Sequence, residues 1–413
     1  MTKESLLAAA TAQYLESTDF NGLPVEDDTP KELVTELITE GLVSLNRGDR
    51  HPNPHIKAFD PEPIEEQLQK IKENDLDGCL YPEPRHLQDV VVPSDYAGRP
   101  FTLCLALGEP QLSFKVFDLI ILEQYRNDPR YYYHLDDIHG MISIHDEFGD
   151  TGENPIAERD QTLLQTFGFA YDEKMNRAVA VFLRYLHDLT PEHQRIWEAR
   201  LLQGNYRIHP DYWMSSMGHW PDKVSIFVAF TEELRIINEM SRCMGREPLF
   251  NNEFQAEDRP REFAFLLRPT QKALNDFFLV LDKLLSDNIN LKFFDEDVAF
   301  EIDRQRSDGK IIVERKGTLS VLNDWLSQTV QFPDATPKDE MISTFRRIRK
   351  LRQQPAHSIK EDKFDQRFFH EQRELVVQAY QAIRTLRLIL ANHPATRVIE
   401  IPEWLLNGDI RSY

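Results

Sequence analysis

"RPTQKALNDFFLVLDKLLSDN", residues 268–288, sets Leu274, Phe277, Phe278, Leu281 and Leu285 on one face at helical spacing, so it reads as an amphipathic helix. A stripe this long needs other helices against it, and the sequence beyond supplies them. "TLSVLNDWLSQTV" (318–330) continues the period through Leu319, Leu322, Leu326 and Val330, and Pro333 and Pro337 then break it. A third helix is expected from near Lys338. A fourth, from about Asp365 to Ala391, carries Phe368, Val376, Ala379, Ile383, Leu386 and Leu390 at the same spacing. Between the first two lies "VAFEIDRQRSDGKIIVERKG" (298–317), two alternating runs around Asp308-Gly309, a pair suited to a tight hairpin turn. Residues 261–395 therefore read as a four-helix array with an inserted β-hairpin, followed by a tail, 396–413.

Upstream the text is less regular. Residues 1–75 look helical, with apolar spacing in "PKELVTELITEGLVSL" and "EPIEEQLQKIKEN". Residues 76–260 mix signals: "FTLCLAL", "GMISI" and "RAVAVFLRYL" suggest strands, although the last also suits the start of a helix. "TPEHQRIWEARLL" and "PDKVSIFVAFTEELRIINEMSRCMG" suggest helices, the first capped by Thr190 and the second closed by Gly245. Polar text around 250–262 marks a boundary. The fold class expected is α+β, predominantly α-helical, with a mixed N-terminal region for sensing or regulation.

Composition narrows the function classes. The 413 residues allow two or three domains. No apolar run approaches the roughly 20 residues a bilayer span requires, so no membrane segment is expected. The acid-bearing N-terminus lacks a secretory pattern, and Cys79, Cys104 and Cys243 are too few and too scattered for a disulfide framework or a cysteine zinc site. A cytoplasmic location is expected. The formal net charge of −21 argues against broad adhesion to nucleic acid, so any such contact must be local.

"RKLRQQPAH", residues 349–357, is the local exception. On the third helix Met341, Phe345 and Ile348 share a stripe, and Arg352 falls on it, whereas Arg346, Arg347 and Lys350 point elsewhere. A guanidinium on an apolar stripe must be paired, snorkel past the end of the bundle, or line a cleft. His357 follows across Pro355, which forbids an ordinary helical continuation and is expected to bend the chain there.

An arginine, a few residues, then a histidine at a junction of bundle helices resembles the HEPN ribonucleases, of the kind found in abortive-infection and toxin systems. The resemblance covers roughly residues 265–395, with Arg352 and His357 as the matching pair. It implies a bundle that dimerises so that two such motifs face one cleft, and cleavage of RNA without metal or other cofactor. It further implies antiviral defence or toxin activity, while whether a regulatory partner or antitoxin restrains that activity stays open. Gln353 stands where the family often has Asn, Asp or His, and is the candidate for a third site residue, with Arg349 and Lys350 holding the flanking phosphates. The chemistry suits the residue types: one imidazole takes the 2′-OH proton, a second protonates the leaving 5′ oxygen, and the guanidinium fork stabilises the phosphorane charge.

Spacing alone does not decide the matter, since Arg50 with His55 and Arg387 with His393 are similarly spaced, the first in proline-rich text and the second at the end of the fourth helix. Two other readings stay open. One is a noncatalytic regulatory protein that uses the bundle to dimerise. The other is a metal-dependent phosphohydrolase built on "HLDDIHGMISIHDE" (134–147), which gathers His134, Asp136, Asp137, His139, His145, Asp146 and Glu147, though at no recognised metal spacing. "RNDPRYYYH" (126–134) offers aromatics beside arginines, either for stacking bases or for packing in a sheet. No glycine-rich phosphate loop is present.

Overall fold

The structure is a computed structural model. It describes residues 1–413 except 27, 74–75, 136, 255–258, 261, 295–296, 306–310 and 354–360, and of Arg304 only the backbone. The chain divides into two units, Met1–Pro221 and Asp222–Tyr413, and its class is α+β. The division falls well before the boundary expected near 260.

In the first unit, Leu23–Pro24, Cys79–Pro82 and Val43–Asn46 form a three-stranded antiparallel sheet in that order. The helices Lys3–Glu16, Lys31–Thr39 and Ile64–Lys72 contribute Leu6, Ala10, Val34, Leu37, Ile38 and Ile71 to a core shared with Val43, Leu45 and Leu80. The first 75 residues are thus not helical throughout: "GLVSLN" turns at Gly41, whose φ is +66°, and continues as a strand. A second antiparallel sheet runs Phe114–Phe117, Arg177–Phe182, Leu163–Tyr171, His139–Ile144, Tyr131–Leu135, with Arg207–Ile208 added beside Leu163–Tyr171. Every residue of Arg177–Phe182 is buried, as befits a strand covered on both faces. "FTLCLAL" is a helix, Pro100–Ala106, and not a strand. Its apolar run shows no polar alternation, and Pro100 in the first helical turn favours the helix.

The second unit begins with the helix Ile226–Cys243, capped by Ser225 and followed by Gly245 at φ +73°. It buries residues around most of its circumference, including Phe227, Phe230, Leu234, Ile237 and Met240, so it lies inside the bundle. The four expected helices follow as Gln271–Leu284, Thr318–Thr329, Thr336–Gln353 and Arg367–Ala391, with the hairpin strands Glu301–Gln305 and Ile311–Arg315 paired antiparallel between the first two. The hairpin's turn, Asp308-Gly309, lies outside the described residues. Leu274, Phe277, Phe278, Leu281 and Leu285 are all buried, as are Met341, Phe345 and Ile348. At the start of Arg367–Ala391 it is Phe369 that is buried, with Phe368 half-buried. Residues 396–413 are no loose tail. They include the end of a 3-10 turn, Pro394–Val398, the helix Glu403–Asn407, and a strand, Ile410–Arg411, that pairs in parallel with Val224–Ser225.

Inside this unit, Glu233 on Ile226–Cys243 and Arg387 on Arg367–Ala391 are both fully buried, and Arg387 Nε donates to Glu233 Oε2. Burial pushes the Glu233 carboxyl up from its ordinary value, more strongly than the hydrogen bond from Arg387 pulls it down.

Candidate functional site

The helix Thr336–Gln353 buries Met341, Ile342, Phe345 and Ile348 between the helices Gln271–Leu284 and Arg367–Ala391. One turn beyond Ile348 comes Arg352. Its Nη1 donates to Asp282 Oδ2 at 2.7 Å and to Asp287. Asp282 is fully buried, one helical turn after the buried Phe278, and Ser286 Oγ donates to its other oxygen. The two hydrogen bonds, that to Asp282 first, push the Arg352 guanidinium above its ordinary value, so it is a fixed cation.

Arg349 closes a ring. Its Nη2 lies 3.5 Å from Asp287 Oδ1, and its Nη1 donates to Thr318 Oγ1 at 3.3 Å. Thr318 Oγ1 in turn donates to the Ser286 carbonyl at 2.7 Å. Residues from three helix ends are thereby joined: Asp282, Ser286 and Asp287 at the end of Gln271–Leu284, Thr318 at the start of Thr318–Thr329, and Arg349 and Arg352 in the last turns of Thr336–Gln353. The position suits cations, because a helix C-terminus carries partial negative charge.

Arg352 is therefore paired, as one of the three fates open to it required, yet its side chain keeps 31% exposure. Both carboxylates take Nη1, and neither Nη2 nor Nε bonds any described residue. Lys350 and Gln353 are exposed at the same helix end, along with Arg346 and Arg347. Arg347 Nη1 donates to Gln378 Oε1 at 2.6 Å. The arrangement presents a fixed guanidinium edge flanked by exposed positive charge, which can receive a phosphate. His357 lies outside the described residues, as does Pro355, so the expected meeting of His357 with Arg352 has no geometry here.

The rival pairs come apart. Arg50 Nη1 donates to the Asp60 carbonyl at 2.6 Å, whereas His55 Nδ1 lies 3.4 Å from Cys79 Sγ. Burial holds that thiol up at about 11, so it is no thiolate nucleophile. Arg387 is committed to Glu233, and His393 Nδ1 accepts from Ala395 N at 3.3 Å, as a cap. In the 134–147 stretch, His134 and His145 are exposed and both lie near the Tyr132 ring, the first parallel to it and the second edge-on. Asp137 is buried, and Asp136 lies outside the described residues. Tyr131 is buried and Tyr133 half-buried, so only Tyr132 of the three tyrosines faces solvent, and Arg130 is spent on Asp128 at 2.6 Å. Among the described residues, the one group of three metal-capable side chains lies elsewhere, at Asp19, His187 and Asp188.

Sequence reasoning missed Asp282, Asp287, Ser286 and Thr318. A signal existed for Asp282: it follows Leu281 on an otherwise apolar stripe, and a buried acid calls for a cation. No described helix is long and apolar enough to cross a membrane. Comparison with known proteins found no matching family model, no matching curated protein and no matching solved structure.

Proposed function

We propose that the protein is a metal-independent endoribonuclease of HEPN type that acts as a homodimer, with Arg352 and His357 as its catalytic pair. The observation that supports this reading is the held but incomplete coordination of Arg352. Its Nη1 is fixed by Asp282 and Asp287, while Nη2 and Nε stay unbonded among the described residues, five positions before His357. A guanidinium so oriented meets phosphate without first having to be ordered.

In the proposed reaction His357 takes the proton from a ribose 2′-OH, and the 2′ oxygen forms a bond to phosphorus. The bond from phosphorus to the 5′ oxygen breaks, and a second, protonated His357, from the other protomer, gives its proton to that oxygen. The products are a 2′,3′-cyclic phosphate and a 5′-hydroxyl. Arg352 stabilises the charge on the nonbridging oxygens, with Arg349, Lys350 and Gln353 along the flanking backbone. Defence or toxin activity, and a partner that restrains it, belong to the same reading.

The ring of hydrogen bonds also favours a second reading. Two carboxylates against two arginines make a neutral clamp between helix ends, which a noncatalytic dimerisation bundle would need equally. Incubating purified full-length protein with total RNA in excess chelator, and mapping the ends, separates the two. Cleavage with cyclic-phosphate ends that disappears in His357→Ala supports the ribonuclease. Cleavage retained in His357→Ala refutes the assignment, and absence of cleavage at any protein concentration favours the clamp.

A further inference from the structure

We infer that the first unit carries a binding site for one divalent transition-metal ion, formed by Asp19, His187 and Asp188, independent of the ribonuclease reading. One ring nitrogen of His187 and one carboxylate oxygen from each aspartate all lie within 4.8 Å of one another. His187 Nε2 and Asp188 Oδ1 are 3.3 Å apart, the separation of neighbouring ligands around an ion with bonds of about 2.0–2.2 Å.

The chain segments that meet here are far apart in sequence and held by buried amides. Asp19 sits in the turn after the helix Lys3–Glu16, where Gln111 Nε2 donates to the Asp19 carbonyl at 3.1 Å and to the Phe20 carbonyl at 2.9 Å. Gln111 is itself only 1% exposed. His187 and Asp188 follow the single helical turn Leu183–Leu186, and the His187 carbonyl accepts from Nε2 of the fully buried Gln194 at 3.0 Å. The buried Phe20 ring stands edge-on to the imidazole at 5.6 Å and 83°, which fixes the plane of the His187 ring. Such surrounding contacts are what orient metal ligands.

The donor set decides the ion class. One imidazole nitrogen with two carboxylate oxygens suits manganese, zinc or ferrous iron better than calcium, which prefers oxygen alone, or a thiolate-loving ion. Asp19 is exposed, the Asp188 side chain is 27% exposed and that of His187 only 7%, so the ion would have protein behind it and water in its remaining positions. Without an ion, two carboxylates converge on one imidazole, with Arg184 as the neighbouring cation.

The test uses full-length protein stripped with chelator, dialysed, and titrated with manganese, followed by the resonance of the free ion, and with zinc, followed by calorimetry. The expected result is one ion per chain, with affinity at least about tenfold weaker in Asp19→Asn and in Asp188→Asn. The changes are isosteric, and unchanged circular dichroism checks that they leave the fold intact. His145→Ala serves as the control for the other histidine-rich stretch. Binding unaffected by either Asn variant, or lost in His145→Ala, overturns the site, as does absence of binding by either metal.

Discussion

Replacing Arg352 by alanine separates the structural from the chemical work of this residue. The variant leaves Asp282, which is fully buried, with only the Ser286 hydroxyl on its other oxygen. Breaking an ion pair buried on both sides costs about 3–5 kcal/mol. Here the arginine side keeps 31% exposure, so water can reach the vacated position and the loss is nearer that of one charged hydrogen bond, about 2–3 kcal/mol. For a domain of this size that lowers the unfolding midpoint by about 4–12 °C. Thermal unfolding of the full chain, followed at helical wavelengths, reads it. Asp282→Ala combined with Arg352→Ala removes the stranded charge, so the double variant is expected to be more stable than the sum of the two single losses predicts. Arg352→Lys keeps the cation without the planar fork. It is expected to unfold close to wild type yet lose RNA cleavage, because lysine offers no second edge to phosphate. A midpoint for Arg352→Ala within about 1 °C of wild type would refute the buried pairing, and full cleavage by Arg352→Lys would refute the phosphate role.

The buried pair of Glu233 and Arg387 is expected to behave asymmetrically: Arg387→Met loses about 3–5 kcal/mol in denaturant unfolding, whereas Glu233→Leu with Arg387→Met is neutral or stabilising by about 1–4 kcal/mol. Equal losses in the single and double variants would contradict this. Because burial raises the folded-state value of Glu233, ionising it opposes folding, so its contribution is present below the ordinary glutamate range and lost as pH rises through the raised value. The stability of wild type relative to Glu233→Gln should therefore fall over that window, and a flat difference would remove the argument. Residues 222–413, expressed alone, are expected to be helical and to unfold cooperatively, whereas 261–413 lacks Ile226–Cys243 and should not; cooperative unfolding of the shorter piece would show that helix to be dispensable.

How much of this was legible in the sequence depends on how far apart the interacting residues lie. The helix Gln271–Leu284 and its three successors announced themselves because helical periodicity is written within a few turns, and each stripe then found a buried face. The hairpin strands were equally local. "FTLCLAL" misled because an unbroken apolar run satisfies either period, and only Pro100 ahead of it favoured a helix. The unit boundary fell earlier than expected for a different reason. The helix 226–243 was recognised as a helix, but amphipathicity names a buried face without naming its partner, and that partner, Arg367–Ala391, begins more than a hundred residues later.

The same distance rule governs the sites. Arg352 on an apolar stripe had to have a partner, snorkel outward, or reach a cleft, and that conclusion followed from one helix alone. Which acid paired with it did not, since Asp282 and Asp287 belong to another helix end and only folding brings the two together. Asp19 and His187 are further apart still, and nothing in either flanking sequence refers to the other. The dense run at 134–147 shows the converse. His134 sits exposed on the strand Tyr131–Leu135 beside Tyr132, Asp137 is buried in the turn between the two strands, and His145 stands exposed just past the end of the second, so ligand types adjacent in sequence are dispersed by the hairpin. Residues crowded in one stretch of sequence are thus poorer candidates for a common ion than three drawn from two distant turns and fixed by buried glutamines.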